Sequence, residues 1–367
     1  MYLKKLHLIN FRNYASLSLE FSREGALFIG ENGSGKTNIL EAIHLLCTGR
    51  SQRNAIRSEM IRHTSDYCRI DGVFLSDKEK KEIFFSFSFT RKNISELCFN
   101  GRKIHSFSEW FGMQPAVSFS PGDCDLVYGS PDVRRRYLDM LISLVDREYL
   151  SMLMVYRRNL LDRNRLLKLI DDPILYSIYE KAMAESGAVI REKREKTIAE
   201  INEKGSSFYT SISGKKELFS LSYAPSFRHD NSGLNSWKEV FFNMLSERRK
   251  SDRECGFSSF GPHRDDMLLQ IDSKAARTYS SQGQCRTIAL SLKLGSMHVL
   301  ENHGNEKMIV LFDDAVSELD PYRTARMYAN IENRGQMMIA SPHKNVDCTE
   351  RIQRFHVAEN NAVAYDR

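Results

Sequence analysis

The spacing of hydrophobic and polar residues predicts the order of elements near the start of the chain. Residues 3–9 and 17–21 alternate polar and apolar side chains, whereas residues 26–30 form a short apolar run that ends in glycine. Alternation is typical of half-buried strands, and an apolar run before a glycine-rich turn is typical of a buried strand. A helical pattern from about Asn38 to Cys47 follows. The pattern therefore predicts a strand, a loop and a helix in direct succession.

The pattern further along the chain predicts an α/β core that is interrupted by a helical insertion. Residues 131–213 have a helical pattern with few glycines or prolines. Strand patterns before and after it cover residues 70–75, 82–89, 116–120, 219–223, 266–271, 307–312, 336–340 and 354–358. We expect one domain from residues 1–120 and 255–367, and a mainly helical domain from residues 121–254.

A glycine-rich loop carries the first candidate chemistry. The segment GENGSGKT fits the pattern G-x-x-x-x-G-K-[ST], follows a buried strand and opens a helix, which is the context of a P-loop. Backbone N–H groups in such a loop close around phosphate, Lys36 supplies a charge for the β- and γ-phosphates, and Thr37 offers a hydroxyl to Mg²⁺. ATP with Mg²⁺ is the predicted cofactor, and Lys36 is also a predicted catalytic residue. The predicted nucleotide contacts are Gly30, Glu31, Asn32, Gly33, Ser34, Gly35, Lys36 and Thr37.

An acidic pair lies at the end of a later predicted strand, in the segment MIVLFDD. A central parallel strand with this pattern delivers Asp313 and Asp314 at its carboxyl end, where α/β sheets bind ligands. Asp313 is predicted to hold Mg²⁺, and Asp314 is predicted to orient the attacking water. The alternative interpretation is an aspartate that caps a helix, which the P-loop makes the weaker choice.

A polar helix start, SSQGQ at residues 280–284, is the third candidate element. The N-terminus of a helix with an exposed glycine backbone is an anion site. In ABC-type ATPases such an element is the signature motif, which meets the γ-phosphate held by the other subunit of a dimer. Ser281 is therefore a predicted catalytic residue, and Ser281, Gly283, Gln284 and the later Asp320 are predicted nucleotide contacts. A plain helix cap is the alternative.

Seven sequence blocks give the chain a resemblance to the RecF family of the SMC branch of ABC-type ATPases. They occur in the family's order and are LHLINFRNY (6–14), GENGSGKTNILEAIHLLCTGRS (30–51), FSPGDCDLVYGSPDVRRRYLD (119–139), YRRNLLDRNRLL (156–167), FGPHRDD (260–266), SSQGQCRT (280–287) and LFDDAVSELD (311–320). The chain departs from the family pattern at Gln52, where an aromatic residue is common, and at Gly122 and Cys285. No Q-loop glutamine is evident, because Gln114 precedes its strand, and His343 is a hypothetical switch histidine.

The resemblance implies an ABC-type head with an ATP-binding lobe I from both ends of the chain and an inserted helical lobe II. It also implies an ATP-dependent homodimer that binds single-stranded and double-stranded DNA and gap junctions, and that hydrolyses ATP weakly in a DNA-dependent way. The partners implied are RecR and RecO, and the roles implied are gap repair, fork restart and SOS induction.

The distribution of basic residues supports a nucleic-acid partner independently of the resemblance. The net charge is +6, and residues 131–170 contain nine Lys or Arg against five Asp or Glu. Such arginines neutralise phosphates without reading bases. For any single arginine, a solvated or ion-paired helix face is the alternative. The predicted DNA contacts are Arg134, Arg135, Arg136, Arg157, Arg158, Arg50 and Arg53, and Arg163 and Arg165 belong to the same basic stretch.

Composition limits the other classes of function. Seven scattered cysteines form no C-x-x-C pair, and no apolar run approaches the length of a membrane span. We therefore expect a cytoplasmic protein with no membrane contact. Two alternatives share the P-loop: the ATPase subunit of a membrane transporter, and a metabolic ATPase or kinase that needs no signature motif.

Overall fold

The computed structural model divides the chain into two compact units. One unit comprises Met1–Asp123 and Leu300–Arg367, and the other comprises Cys124–Val299. This division places residues 255–299 in the second unit, whereas the division expected from the sequence places them in lobe I. The assignment of the two lobes stays a prediction. The described residues are 1–53, 55–76, 80–169, 172–214, 217–227, 234–304, 307–314, 321–331, 334–342, 352–358 and 361–364.

The strands and helices of the described residues follow the hydrophobic pattern closely. The strands are β1 (Tyr2–Phe11), β2 (Tyr14–Glu20), β3 (Gly25–Ile29), β4 (Tyr67–Leu75), β5 (Glu82–Thr90), β6 (Ser95–Phe99), β7 (Arg102–Ile104), β8 (Ala116–Phe119), β9 (Phe219–Ala224), β10 (Asp266–Ile271), β11 (Lys274–Ala275), β12 (Met308–Asp313), β13 (Gly335–Ser341), β14 (Gln353–Ala358) and β15 (Asn361–Ala364). The helices are α1 (Lys36–Thr48), α2 (Arg57–Met60), α3 (Asp125–Tyr128), α4 (Pro131–Val145), α5 (Arg147–Leu169), α6 (Pro173–Ser213), α7 (Leu234–Glu247), α8 (Arg249–Cys255), α9 (Ala276–Tyr279), α10 (Gln282–Asn302) and α11 (Pro321–Ile331). The predicted strands and the helix after the glycine-rich loop are confirmed.

A six-stranded sheet in the first unit positions the predicted site. Its order is β15-β14-β3-β13-β12-β8, and all neighbouring pairs are parallel except β14 with β15. β3 and β12 are almost wholly buried, as expected for parallel strands that are covered on both faces. Because the two strands run in the same direction, the glycine-rich loop after β3 and the acidic pair at the end of β12 both lie at the carboxyl ends of the strands, on the same side of the sheet.

A second, antiparallel sheet shares its core with the first. Its order is β2-β1-β4-β5-β6-β7, and β4 and β5 bury alternate residues. The Trp110 ring stacks on Phe85 with centroids 4.1 Å apart, and its indole nitrogen donates to the Leu46 carbonyl of α1 over 2.5 Å. One apolar core therefore lies between α1 and both sheets.

The second unit consists of helices and the three-stranded antiparallel sheet β11-β10-β9. The predicted helical stretch is confirmed as α4, α5 and the 41-residue α6. α6 begins at Pro173, and the Asp172 side chain caps it by accepting from the amides of Ile174 and Leu175 over 2.9 and 3.1 Å. It ends at Gly214, whose φ of 65° suits the left-handed residue that closes a helix.

A buried ion network holds three helices of the second unit together. Arg163 on α5 is fully buried and donates to Glu180 on α6 over 3.1 Å and to Asp252 on α8 over 2.8 Å. The same guanidinium donates to Ser258 Oγ and to the Leu245 carbonyl over 2.7 and 2.9 Å. The interpretation of Arg163 as a phosphate contact is therefore wrong, because the side chain has no exposed surface.

The FGPHRDD block is a structural junction of the second unit. Tyr156 Oη donates to His263 Nδ1 over 2.7 Å, and His263 Nε2 donates to the Ser258 carbonyl over 3.0 Å. Burial lowers the pKa of His263 to about 4, so the ring is neutral and can accept at Nδ1. Arg194 on α6 donates to the Pro262 carbonyl over 2.6 Å. The block thus joins α5 and α6 to the loop before β10.

Candidate nucleotide site and basic surface

The glycine-rich loop has the geometry of a phosphate-binding loop. Gly33 and Gly35 adopt φ angles of 84° and 111°, which side chains with a Cβ rarely adopt. A Cβ at Gly35 would lie 2.5 Å from Tyr14 Oη, so only glycine fits there. Lys36 Nζ donates to the carbonyls of Gly30 and Glu31, each over 2.8 Å. The loop therefore folds around the ammonium group that would meet phosphate oxygens.

Thr37 and Asp313 bring two oxygen ligands together. Thr37 Oγ1 donates to Asp313 Oδ1 over 2.6 Å, across 276 residues of sequence. Burial raises the pKa of Asp313, and the Thr37 hydrogen bond and the charge of Arg53 oppose the rise. Burial also lowers the pKa of Lys36, against the nearby charges of Asp314 and Asp313. A hydroxyl and a carboxylate are hard oxygen donors, so these residues fit Mg²⁺.

Asp314 directly follows the predicted metal ligand at the end of β12. Its φ of 52° lies in the left-handed region, which aspartate tolerates better than most residues, and its amide donates to the Ala340 carbonyl over 3.3 Å. This turn follows the last residue of β12 directly. Asp320 and His343 lie outside the described residues.

Several residues around the loop were missed as site residues by the sequence reasoning. Arg12 makes a two-point ion pair with the fully buried Glu41 of α1, over 2.8 and 2.7 Å. Asn38 Nδ2 donates to Asn13 Oδ1 over 2.7 Å. These contacts fasten the β1–β2 turn to the start of α1. The segment LINFRNY belongs to a block that resembles the family, but nothing in its sequence indicated which of its residues approach the glycine-rich loop.

Gln52 is a further neighbour that sequence reasoning recorded only as a departure from the family pattern. Its Nε2 donates to Asp313 Oδ2 over 3.2 Å, so Gln52 lies directly beside the predicted metal ligand. By contrast, Gln114 is buried at the start of β8, at the opposite end of the strands.

The polar helix start has the geometry of a capping box. Gln284 N donates to Ser281 Oγ over 3.2 Å, and Ser281 N donates to Gln284 Oε1 over 2.7 Å. Ser281 is exposed, and Gly283 is half-buried. Cys285 is buried, with its thiol directed to the Cys124 carbonyl over 3.8 Å, so it does not lie on the exposed side of the cap. The nucleotide contacts of Ser281, Gly283 and Gln284 stay predictions.

The predicted DNA-contacting arginines differ in exposure. Arg134 is buried and donates through Nε and Nη2 to Asp266 over 2.6 and 2.8 Å. Arg135 is mostly buried and donates to the Asp265 carbonyl over 2.6 Å. The exposed members are Arg136, Arg157, Arg158, Arg50 and Arg53.

Two cavities in the second unit bring the exposed arginines of α4 and α5 together. The first has a volume of about 390 Å³ and is lined by Arg136, Arg157, Asp139, Tyr156 and His263, among others. The second, of about 470 Å³, is lined by Met154, Arg157, Arg158, Leu161, Asp162 and Arg165. Arg157 lines both, although its Nη2 also donates to Asp139 Oδ2 over 2.9 Å. We call Arg136, Arg157 and Arg158 the basic surface.

The described helices include none that is long and apolar enough to cross a membrane. The P-loop and the acidic strand end lie on the α/β core of the first unit, and the capped helix start belongs to the second unit. These features are those of an ABC-type P-loop ATPase head. Residues 2–362 match the family model described as the RecF/RecN/SMC N terminal domain.

Individual relatives agree with the family model. The protein of Halalkalibacterium halodurans named "DNA replication and repair protein RecF" is 34% identical over 95% of this chain and 94% of its own length. The protein of the same name from Staphylococcus aureus is 32% identical over 100% of this chain and 98% of its own. The solved structure of "the recombination mediator protein RecF-ATP in RecFOR pathway" superposes with a TM-score of 0.92, at 32% identity over 100% and 98% of the two chains. The chain belongs to the RecF/RecN/SMC family, in its RecF branch.

Proposed function

We propose that the chain is an ATP-gated DNA-binding protein of recombinational repair, with ATP and Mg²⁺ as its cofactors. The observation that carries the proposal is the 2.6 Å hydrogen bond between Thr37 Oγ1 and Asp313 Oδ1 beside the P-loop. A phosphate-bound Mg²⁺ uses few protein ligands, typically one or two oxygens. The ATP-bound relative supports the same assignment.

The hydrolytic step is assigned to Lys36 and Asp314. Lys36 exchanges its contacts with the Gly30 and Glu31 carbonyls for phosphate oxygens, and Asp314 orients the attacking water. Thr37 and Asp313 would hold Mg²⁺, which would supply positive charge to offset the charge that develops on the transferred phosphate. We propose weak, DNA-dependent turnover, in line with a protein whose main task is to bind DNA.

The capped helix start is proposed to complete the site of a second copy of the chain. α10 is 21 residues long and directs the positive end of its dipole to Ser281 and Gly283. The γ-phosphate of ATP on the partner's P-loop would meet this end, with Gln284 and Asp320 as further contacts. Each chain offers one P-loop and one capped helix, so the dimer has two-fold symmetry with two composite sites.

The basic surface is proposed to bind DNA through its phosphates. Arg136, Arg157 and Arg158 are exposed and line neighbouring cavities, and contacts of this kind fix position without reading sequence. Single-stranded DNA, double-stranded DNA and gap junctions all offer such phosphates. Arg134 and Arg135 are left out of this surface because carboxylate or carbonyl partners within the unit engage their guanidinium groups. Arg50 and Arg53 are exposed alternatives.

The biological setting is proposed from the relatives. A related structure is described as a recombination mediator in the RecFOR pathway, which supports RecR and RecO as partners. A cytoplasmic location is a further part of the proposal. Gap repair, fork restart and SOS induction belong to the same proposal. A transporter ATPase would instead co-purify with a membrane partner, and a metabolic ATPase would stay active after Ser281 is changed.

Mixing two inactive variants tests the composite site. Lys36→Met removes the phosphate ligand, and Ser281→Arg blocks the capped helix. We expect each variant alone to lack ATPase activity and their mixture to regain part of it, because the mixed dimer contains one intact site. Activity in Lys36→Met alone, or no recovery on mixing although mixed dimers form, would contradict the proposal.

A further inference from the structure

The carboxylate of Asp313 is held from two sides. Thr37 Oγ1 donates to Oδ1 over 2.6 Å, and Gln52 Nε2 donates to Oδ2 over 3.2 Å. Thr37 belongs to the P-loop motif, whereas Gln52 belongs to none of the recognised motifs. The second contact joins residues 261 apart in sequence, so it is a product of the fold.

The oxygen of the Gln52 amide, Oε1, lies beside this nitrogen and has no hydrogen-bond partner among the described residues. This oxygen is buried. The amide oxygen and nitrogen share a carbon, which puts Oε1 about 2.3 Å from Nε2. Because a buried acceptor without a donor costs free energy, its position beside a metal ligand indicates a donor that arrives with the ligand. Magnesium ions in phosphate sites keep several bound waters, and these waters are such donors.

We propose that Gln52 is a positioning residue of the magnesium site. Its Nε2 orients the Asp313 carboxylate, and its Oε1 accepts a hydrogen bond from a water on the metal. The inference rests on the proposed magnesium–ATP function and adds a residue outside its motifs. An aromatic side chain, which the family pattern has at this position, can supply neither atom, so the dependence on Gln52 is a property of this chain.

The test is the Mg²⁺ concentration that gives half-maximal binding of a fluorescent ATP analogue. Gln52→Leu removes both amide atoms at similar size, and Gln52→Asn keeps the amide on a side chain one methylene shorter. We expect both variants to need about tenfold more Mg²⁺, the usual effect of removing a partner that orients a metal ligand. Binding in EDTA should be unchanged, and thermal unfolding without nucleotide should be unchanged because Gln52 is only half-buried.

Two further variants distinguish a failure of the Gln52 inference from a failure of the proposed magnesium site. Gln270→Leu removes an amide from the β10–β11 hairpin, where it donates to the Ser273 carbonyl, and should keep the wild-type Mg²⁺ requirement. Thr37→Val removes a proposed metal ligand and should raise the requirement further. A raised requirement in Thr37→Val but not in Gln52→Leu would overturn the inference and leave the proposed function intact. An unchanged requirement in both would refute the proposed magnesium site itself.

Discussion

Arg134 and Arg136 are two residues apart on α4, and the fold predicts opposite consequences when each is replaced by methionine. Arg134 has a side chain 5% exposed and pairs with Asp266, which is 24% exposed. Arg136 is exposed, and its only described hydrogen bond, to the Asp132 carbonyl, is 3.3 Å long. Methionine keeps the apolar stem in both cases, so the comparison isolates the charged group.

The expected loss of stability follows from the exposure of each pair. Removing one partner of a fully buried ion pair costs about 3–5 kcal/mol. Asp266 is partly exposed to water and still accepts a hydrogen bond from the Met267 amide. We therefore expect Arg134→Met to lower the free energy of unfolding by about 2–4 kcal/mol. For a unit of this size, each kcal/mol lowers the melting temperature by about 2–4 °C, which gives a fall of roughly 5–15 °C. For Arg136→Met we expect less than about 0.5 kcal/mol.

The DNA-binding assay should give the reverse order. Arg136→Met should weaken binding to all sequences alike and reduce the slope of log affinity against log salt by about 0.9, the value for one lost phosphate contact on duplex DNA. Arg134→Met should leave that slope unchanged below its melting temperature. Equal melting temperatures for the two variants would refute the ion-pair reasoning. A flatter slope in Arg134→Met alone would refute the assignment of the basic surface.

Further predictions concern the buried groups and the water-orienting carboxylate. Arg163→Met should cost about 3–5 kcal/mol in urea unfolding, because it removes the partner that the buried carboxylates of Glu180 and Asp252 share, whereas Lys238→Met on an exposed ion pair should cost under about 1 kcal/mol; similar losses would contradict the network. Burial lowers the pKa of His263 to about 4, from a value near 6.5 in the unfolded chain. The stability that neutral His263 contributes is therefore complete above about pH 6.5. It falls by up to about 1.4 kcal/mol per pH unit as the pH drops towards 4. His263→Gln should flatten that acid dependence in urea unfolding at several pH values, and an unchanged dependence would place the titrating group elsewhere. Asp314→Asn should bind ATP, lose hydrolysis and hold the dimer closed in size-exclusion chromatography, and full turnover in this variant would remove its assigned role.

The sequence was sufficient for features that depend on local pattern. The P-loop combines a buried strand, glycines and a lysine within a few residues, and apolar runs predict the parallel strands on both sides of it. These features follow from short-range sterics and periodicity, so a single sequence reveals them.

Features that depend on distant partners could not be predicted in this way. Arg134 and Arg163 looked like surface charges because their neighbours in sequence are polar. Their burial depends on Asp266 and Asp252, which are 132 and 89 residues away. The contact of Gln52 with Asp313 likewise forms only when the sheet brings two distant segments to one edge. Pairing across such distances is set by the tertiary fold, and no local pattern encodes it.

The central claim is that ATP joins two chains by connecting the P-loop of one to the capped helix of the other. The most direct test is the molar mass in solution, measured by light scattering at micromolar protein with saturating ATP and Mg²⁺. We expect the wild-type mass to double with ATP and Mg²⁺, and Ser281→Arg to bind ATP yet keep the mass of a monomer. A wild-type protein that stays monomeric, or a Ser281→Arg protein that dimerises normally, would contradict the account.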